Sequence, residues 1–185
     1  QDTSSVADLL SALDINNVIE EKKASKVISS SKVLGLGRDI CELTKGIIID
    51  WLPTFEQNEI IPEIEIPDEE WIVELDLAAY GRMISNLIHN AVEHSDCSRL
   101  KVVVRQNNDV IRIIVKDNGI GISKDELSNI FERLYKGDRA RSRQSSGLGL
   151  CIVKELTEMQ GGMVTVQSNL GEYTEFIIEM PISRR

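Results

Sequence analysis

Asn86 and Asn90 lie one helical turn apart in a stretch, Leu77 to His94, whose Leu77, Tyr80, Ile84, Leu87, Ile88 and Ala91 recur at helical spacing. Asparagine is a poor helix-interior residue unless its amide has a task. Its amide oxygen is a neutral hard ligand suited to Mg2+, a cation that keeps several waters and takes further oxygens from phosphates. A solvated face explains an isolated asparagine just as simply, so the neighbouring segments carry weight. Asp117 continues the strand register of Ile111, Ile113 and Val115, which aims a carboxylate at the apolar side. There it needs a donor, and a purine's exocyclic amine is one, which favours adenine over guanine. Asn118-Gly119-Ile120-Gly121 follows, with glycines where backbone must turn tightly and approach a flat ligand, although an ordinary Asp-Asn-Gly turn reads the same way.

Ser145-Ser146-Gly147-Leu148-Gly149-Leu150 opens a further helix, where free backbone N–H groups and the positive end of the helix dipole meet an anion such as phosphate. Neither of the usual glycine-loop fingerprints occurs. His89 and His94 are five residues apart, about 140° around a helix, so they form no shared-face metal pair and zinc is not expected. No Ser-His-Asp, paired-carboxylate or Cys-His arrangement stands out, which counts against a hydrolase.

The elements that must hold these residues can be read from periodicity. Val6, Leu9, Leu10 and Leu13 predict an amphipathic helix through Lys26, and Leu36, Ile40, Leu43, Ile47 and Trp51 predict a second that stops at Pro53. Strands are expected at Pro62 to Ile66, Trp71 to Leu75, Leu100 to Arg105 and Val110 to Lys116, the last two joined by a turn at Gln106 to Asp109. A helix from Lys124 to Leu134 behind Ser123 points Leu127, Ile130, Phe131 and Leu134 one way. Tyr135 to Ser146 is aperiodic and basic, suited to a lid over phosphates, although a charged surface loop is the commoner explanation for such residues. A helix from about Leu148 to Gln160 and strands Met163 to Ser168 and Thr174 to Met180 complete the chain. This order predicts an α+β fold, one sheet covered on one side by helices.

The chain has 185 residues, 42% of them hydrophobic and 28% charged, enough for one good core with flanking structure. A net charge of −9 argues against a nucleic-acid surface. No apolar run is long enough for a bilayer span and the start has no signal-peptide pattern, so the piece is expected to be soluble. It begins with Gln1 rather than Met, which suggests an excised piece of a longer protein. Cys41, Cys97 and Cys151, without C-x-x-C spacing, favour reduced thiols in a cytoplasmic setting.

Four segments in order, Asn86 to Ala91, Asp117 to Ile122, Ile130 to Lys136 and Gly147 to Leu150, resemble the N, G1, F and G2 boxes of bacterial sensor histidine kinases. These belong to an ATPase superfamily that includes gyrase and Hsp90. The resemblance covers roughly Leu75 to Pro181 and implies a two-layer α/β sandwich of the Bergerat type. It implies that Asn90 ligates Mg2+, that Asp117 binds adenine, that Gly119 and Gly121 shape the pocket floor, and that Gly147 and Gly149 contact phosphates. His94, Ile122, Lys136, Leu148 and Thr174 would complete the nucleotide site, with Asn86 and Asn90 in the catalytic roles. Residues 1–30 would be a remnant of the dimerising helical hairpin and 31–185 the catalytic domain.

The implied activity is donation of the ATP γ-phosphate, with Mg2+, to a histidine on a helical domain of the same or a sister chain, for relay to a response regulator. The parent would be anchored at a membrane. The family's phosphoacceptor histidine is missing, since both histidines sit in the nucleotide helix, so this piece alone is not expected to autophosphorylate. Glu93 stands where many relatives carry Lys or Arg, Ser145 where the G2 box often begins with Gly, and Tyr173 where Gly is frequent. Relatives that hydrolyse ATP often carry a general-base Glu at the position of Asn86, which cannot usefully take a proton. Two other readings stand beside the kinase: a serine-phosphorylating anti-sigma switch of the same superfamily, against which the N-terminal helix speaks, and a degenerate nucleotide-binding module.

Overall fold

The computed structural model describes residues 37–135 and 147–182. The expected N-terminal helix and the basic stretch from Lys136 to Ser146 fall outside the described residues, as does the proposed boundary at residue 30. The elements in order are β1 (Arg38–Asp39), α1 (Ile40–Gln57), β2 (Ile61–Glu65), β3 (Ile72–Val73), α2 (Leu77–His94), β4 (Arg99–Asn107), β5 (Val110–Asp117), α3 (Lys124–Leu127), α4 (Gly149–Met159), β6 (Met163–Asn169) and β7 (Tyr173–Pro181).

Five strands form one sheet in the order β2-β4-β5-β7-β6, with β2 parallel to β4 and every other pair antiparallel. One face carries Leu100, Val102 and Val104 of β4, Ile111, Ile113 and Val115 of β5, and Phe176, Ile178 and Met180 of β7, all buried with Ile48, Leu52, Ile84 and Leu87 of the helices. The other face carries ion pairs, Arg112 with Glu179, Lys116 with Glu175, and Lys101 with Glu65. Helices on one face and charge on the other make the α+β two-layer architecture that the order of elements predicts. Among the described residues, no helix is long and apolar enough to cross a membrane.

Helix α2 has the bounds its periodicity implies, because Asp76 caps it by accepting from the Ala79 N–H at 2.9 Å. Two other helices depart from expectation. Pro53 does not stop α1, which runs to Gln57. Proline's missing N–H falls at an exposed position, and burial of Leu52 and Phe55, the latter stacked on Trp51 at 6.3 Å, holds the last turn. The buried face of α1 is also turned from the expected stripe: Cys41, Thr44, Ile48, Leu52 and Phe55 join Ile40 in the core, while Leu43, Ile47 and Trp51 are half-buried at its margin. Thr44 is tolerated there because its hydroxyl meets the Tyr80 hydroxyl of α2.

The helix expected from Lys124 to Leu134 ends at Leu127. Three-residue turns continue from it, with Asn129 N–H donating to the Glu126 carbonyl and Glu132 N–H to Asn129. They still deliver Ile130 to the core and Phe131 against it, but Leu134, at φ +63°, points to solvent. The strand expected from Trp71 to Leu75 is reduced to Ile72–Val73, pairing with β1 in a separate ribbon.

Candidate functional site

Near one end of each of three strands a polar residue keeps the inward-facing register. Asp117 follows Ile111, Ile113 and Val115 on β5, Thr174 precedes Phe176, Ile178 and Met180 on β7, and Ser168 follows Val164 and Val166 on β6. Asp117 pairs with Thr174 and Thr174 with Ser168, so the three form one transverse polar row at the edge of the apolar face.

Asp117 and Thr174 are each only 3% exposed. Burial raises the Asp117 carboxyl above its ordinary 3.8, and the N–H groups of Gly119 and Thr174 with the Ser95 hydroxyl oppose that rise. The Gly119 N–H donates to Asp117 Oδ1 at 2.9 Å. A buried carboxylate with acceptor capacity left over is matched by a ligand that brings N–H donors.

The loop beyond Asp117 is locked to the end of α2. Ile120 N–H donates to the Ser95 carbonyl at 2.8 Å, and a Cβ on Gly119 would stand 2.1 Å from that same oxygen. Gly121, at φ +66°, presses equally hard on the Asn169 carbonyl, 2.1 Å from where its Cβ would be. The close approach these glycines permit is therefore to the chain's own backbone.

The other end of the site lies where α4 begins. Asn86 Nδ2 donates to the Gly149 carbonyl at 3.3 Å, while Gln160, just past the end of α4, accepts from Asp76 N–H at 2.9 Å. Those two contacts make α2 and α4 antiparallel neighbours. Asn90 is four residues beyond Asn86, about 6 Å further along the axis on the same face, hence in front of the start of α4. Leu148 supplies no side-chain cap there, and among the described residues no side chain caps the first-turn N–H groups of α4. Among the described residues a Cβ on Gly149 would meet nothing within 4 Å, whereas one on Gly147, at φ +66°, would stand 2.9 Å from the Tyr135 carbonyl. From Ser95 to Asn86 is nine residues of α2, about 14 Å of rise, a span fit for a molecule with a base at one end and phosphates at the other.

The remaining expected residues sort as follows. Ile122 and His94 are half-buried, His94 in the last turn of α2. Leu148 is the half-buried residue before α4, and Lys136 lies outside the described residues. Glu93 is exposed. Ser95 and Ser168 were not among the expected site residues, yet Ser95 holds the loop at Asp117, and Ser168 Oγ accepts from Ile122 N–H at 2.8 Å. Ser168 had a sequence signal, a polar residue in the register of Val164 and Val166; Ser95 had none. All three cysteines are free, and burial, helped by Asp39, pushes the Cys41 thiol up to about 12.

Residues 76–184 match the family described as histidine kinase-, DNA gyrase B- and HSP90-like ATPase. Sensor histidine kinase YcbM of Bacillus subtilis is 34% identical over 145 residues, 77% of this chain and 46% of that protein. Sensor histidine kinase RppB of Synechocystis is 39% identical over 104 residues, 55% of this chain and 23% of that protein. The chain thus spans less than half the length of these relatives. Among solved structures, the mycobacterial sensor histidine kinase MprB superposes with a TM-score of 0.68 at 28% identity, over 78% of this chain and 97% of that one. The catalytic domain of histidine kinase ThkA shares the fold, with a TM-score of 0.69 at 22% identity over 79% of this chain and 94% of that one. Because that family match covers more than half of the chain, this chain belongs to the histidine kinase-, DNA gyrase B- and HSP90-like ATPase family.

Proposed function

We propose that this chain is the ATP-binding catalytic domain of a two-component sensor histidine kinase. It donates the γ-phosphoryl group of ATP to a histidine on a helical domain of its own or a sister chain, for relay to a response regulator on the cytoplasmic side. The observation that carries this reading is the arrangement along α2: a buried carboxylate at one end, Asp117, and the start of α4 at the other. The names of the relatives favour the histidine acceptor over a serine-phosphorylating switch.

In this reading Asp117 accepts from the adenine amino group, and the first-turn N–H groups of α4 receive the phosphates. The lack of any contact to an added Cβ at Gly149 among the described residues supports close approach of a phosphate, since neither its backbone conformation nor packing against those residues demands glycine there. Asn90 would hold Mg2+ through its amide oxygen. That donor fits a cation that takes its other ligands from water and phosphate, and among the described residues no group of three His, Cys, Asp or Glu offers a closed metal cage. Bound there, Mg2+ supplies charge neutralisation to the phosphate oxygens.

Asn86 stands one turn before Asn90 with its amide directed to the Gly149 carbonyl, and an amide is no base at neutral pH. Water therefore gets no activation from that position, which favours transfer to a nucleophile brought by another domain. The chain's contribution is positioning and charge complementarity.

Calorimetric titration with a non-hydrolysable ATP analogue, with and without Mg2+ and with GTP as control, tests the pocket. Magnesium-sensitive, adenine-selective binding is expected, and no binding at millimolar nucleotide would refute the reading. Adding a histidine-bearing helical domain and labelled ATP then tests the reaction, with label expected on the added histidine.

A further inference from the structure

The polar row across β5, β7 and β6 has a fixed direction of proton donation. Ser168 Oγ lies 2.6 Å from the Tyr173 carbonyl, which can only accept, so the single Ser168 hydroxyl proton goes there. Ser168 Oγ also accepts the Ile122 N–H at 2.8 Å and stands 3.2 Å from Thr174 Oγ1. With its own proton committed, Ser168 must be the acceptor in that last contact, and Thr174 the donor. The only hydroxyl proton of Thr174 is then spent on Ser168. What Thr174 offers elsewhere is lone pairs.

Thr174 is the cross-strand partner of Asp117, and both are almost completely buried. Without Ser168, the Thr174 hydroxyl would be free to rotate and donate to a neighbouring acceptor, the Asp117 carboxylate being the strongest at hand. That would occupy a lone pair otherwise left for the ligand. Ser168 also holds the amide of Ile122, at the end of the loop that Asp117 begins, so one side chain on β6 ties together both borders of the site.

We propose that Ser168 is a positioning residue of the nucleotide pocket: by taking the Thr174 hydroxyl proton and the Ile122 amide, it keeps Thr174 and Asp117 as a pair of acceptors tuned to a ligand edge that carries an amino group. This rests on the nucleotide reading above. It goes beyond it by assigning adenine recognition to a residue that need not touch the base.

The test pairs a protein change with a ligand change. Non-hydrolysable ATP and its 6-deamino purine counterpart are titrated against wild type, Ser168→Ala and Ser168→Thr. Ser168→Ala is expected to weaken ATP about tenfold, the scale of one hydrogen bond, and the deamino analogue less than twofold. Ser168→Thr, which keeps the hydroxyl, should restore the wild-type ratio. Equal loss for both ligands means a merely structural serine and overturns the proposal.

If Ser168→Ala fails to fold, Thr174→Val carries the test. The same selective loss for ATP is expected, and an unchanged ratio overturns the proposal. Wild-type protein that binds neither ligand overturns the nucleotide pocket itself, and this assignment with it.

Discussion

Two segments of this protein each carry a pair of glycines, and the pairs are not alike. Gly119 and Gly121 beside Asp117 are crowded, for an added methyl group on either would stand 2.1 Å from a backbone oxygen. Of the pair at the start of α4, Gly147 is also held by the chain, but an added methyl group on Gly149 would meet none of the described residues within 4 Å. The first loop spends its glycines on bringing its own backbone together, which fixes the buried Asp117 carboxylate. The second, among the described residues, leaves one glycine without such a contact. Glycine spacing thus marks a site in both places for opposite reasons, and substitutions separate them.

The largest effect is expected for Gly121→Ala. A side chain at φ +66° against the Asn169 carbonyl combines backbone strain with overlap, and a loss of about 3 kcal/mol or more of folding stability follows. Urea unfolding measures it. Near-wild-type stability would mean the loop yields easily and would dissolve the contrast.

Asp117→Asn comes next, with opposite signs for binding and folding. ATP affinity should fall by about 2 kcal/mol, the worth of a charge-assisted hydrogen bond. Folding without nucleotide should be favoured above the acid range. Burial raises the Asp117 carboxyl in the folded protein above 3.8, so the native state binds its proton more tightly than the unfolded chain. The stability this group contributes is fully present below 3.8 and is lost as pH rises through the raised folded value. Wild type minus variant should therefore fall through that window, and parallel curves would show that the carboxylate carries no burial penalty.

Gly149→Ala sharpens the other half of the comparison. Alanine in the first turn of α4 should stabilise the fold by about 0.5–1 kcal/mol, while a methyl group where phosphate approaches costs about 1 kcal/mol of ATP binding. Thermal unfolding and calorimetry together read both signs. Stability gained with no loss of binding would remove Gly149 from the phosphate end. Smallest is Arg112→Ala on the open face of the sheet, whose exposed pair with Glu179 should be worth under about 1 kcal/mol and leave nucleotide binding unchanged.

Periodicity alone located much of this. Helix α2 was legible because its apolar spacing holds from Leu77 to Ala91, and the Asp76 cap found in the structure fixes its start. The burial of Asp117 was legible because side chains alternate along a strand, so a carboxylate in the register of three apolar residues must enter the core. Alternation also marked Ser168, but a serine in a buried register is ordinary until its partners are known. The end of α1 and the stop of α3 were misread, because packing of Leu52 and Phe55 outweighs one proline, and local three-residue turns replace a helix whose apolar spacing remains the same.

What the amino-acid order determined by itself was local: which residues share a face, where caps lie, and which four segments belong together. Tertiary structure decided what meets across the chain. It brought Gly119 against Ser95, set Asn86 on the start of α4, and lined up Asp117, Thr174 and Ser168 in one row. The reason is physical: alternation and helical pitch act over a few residues, whereas donor and acceptor roles in a buried row depend on strand order and register, which only the packed sheet supplies.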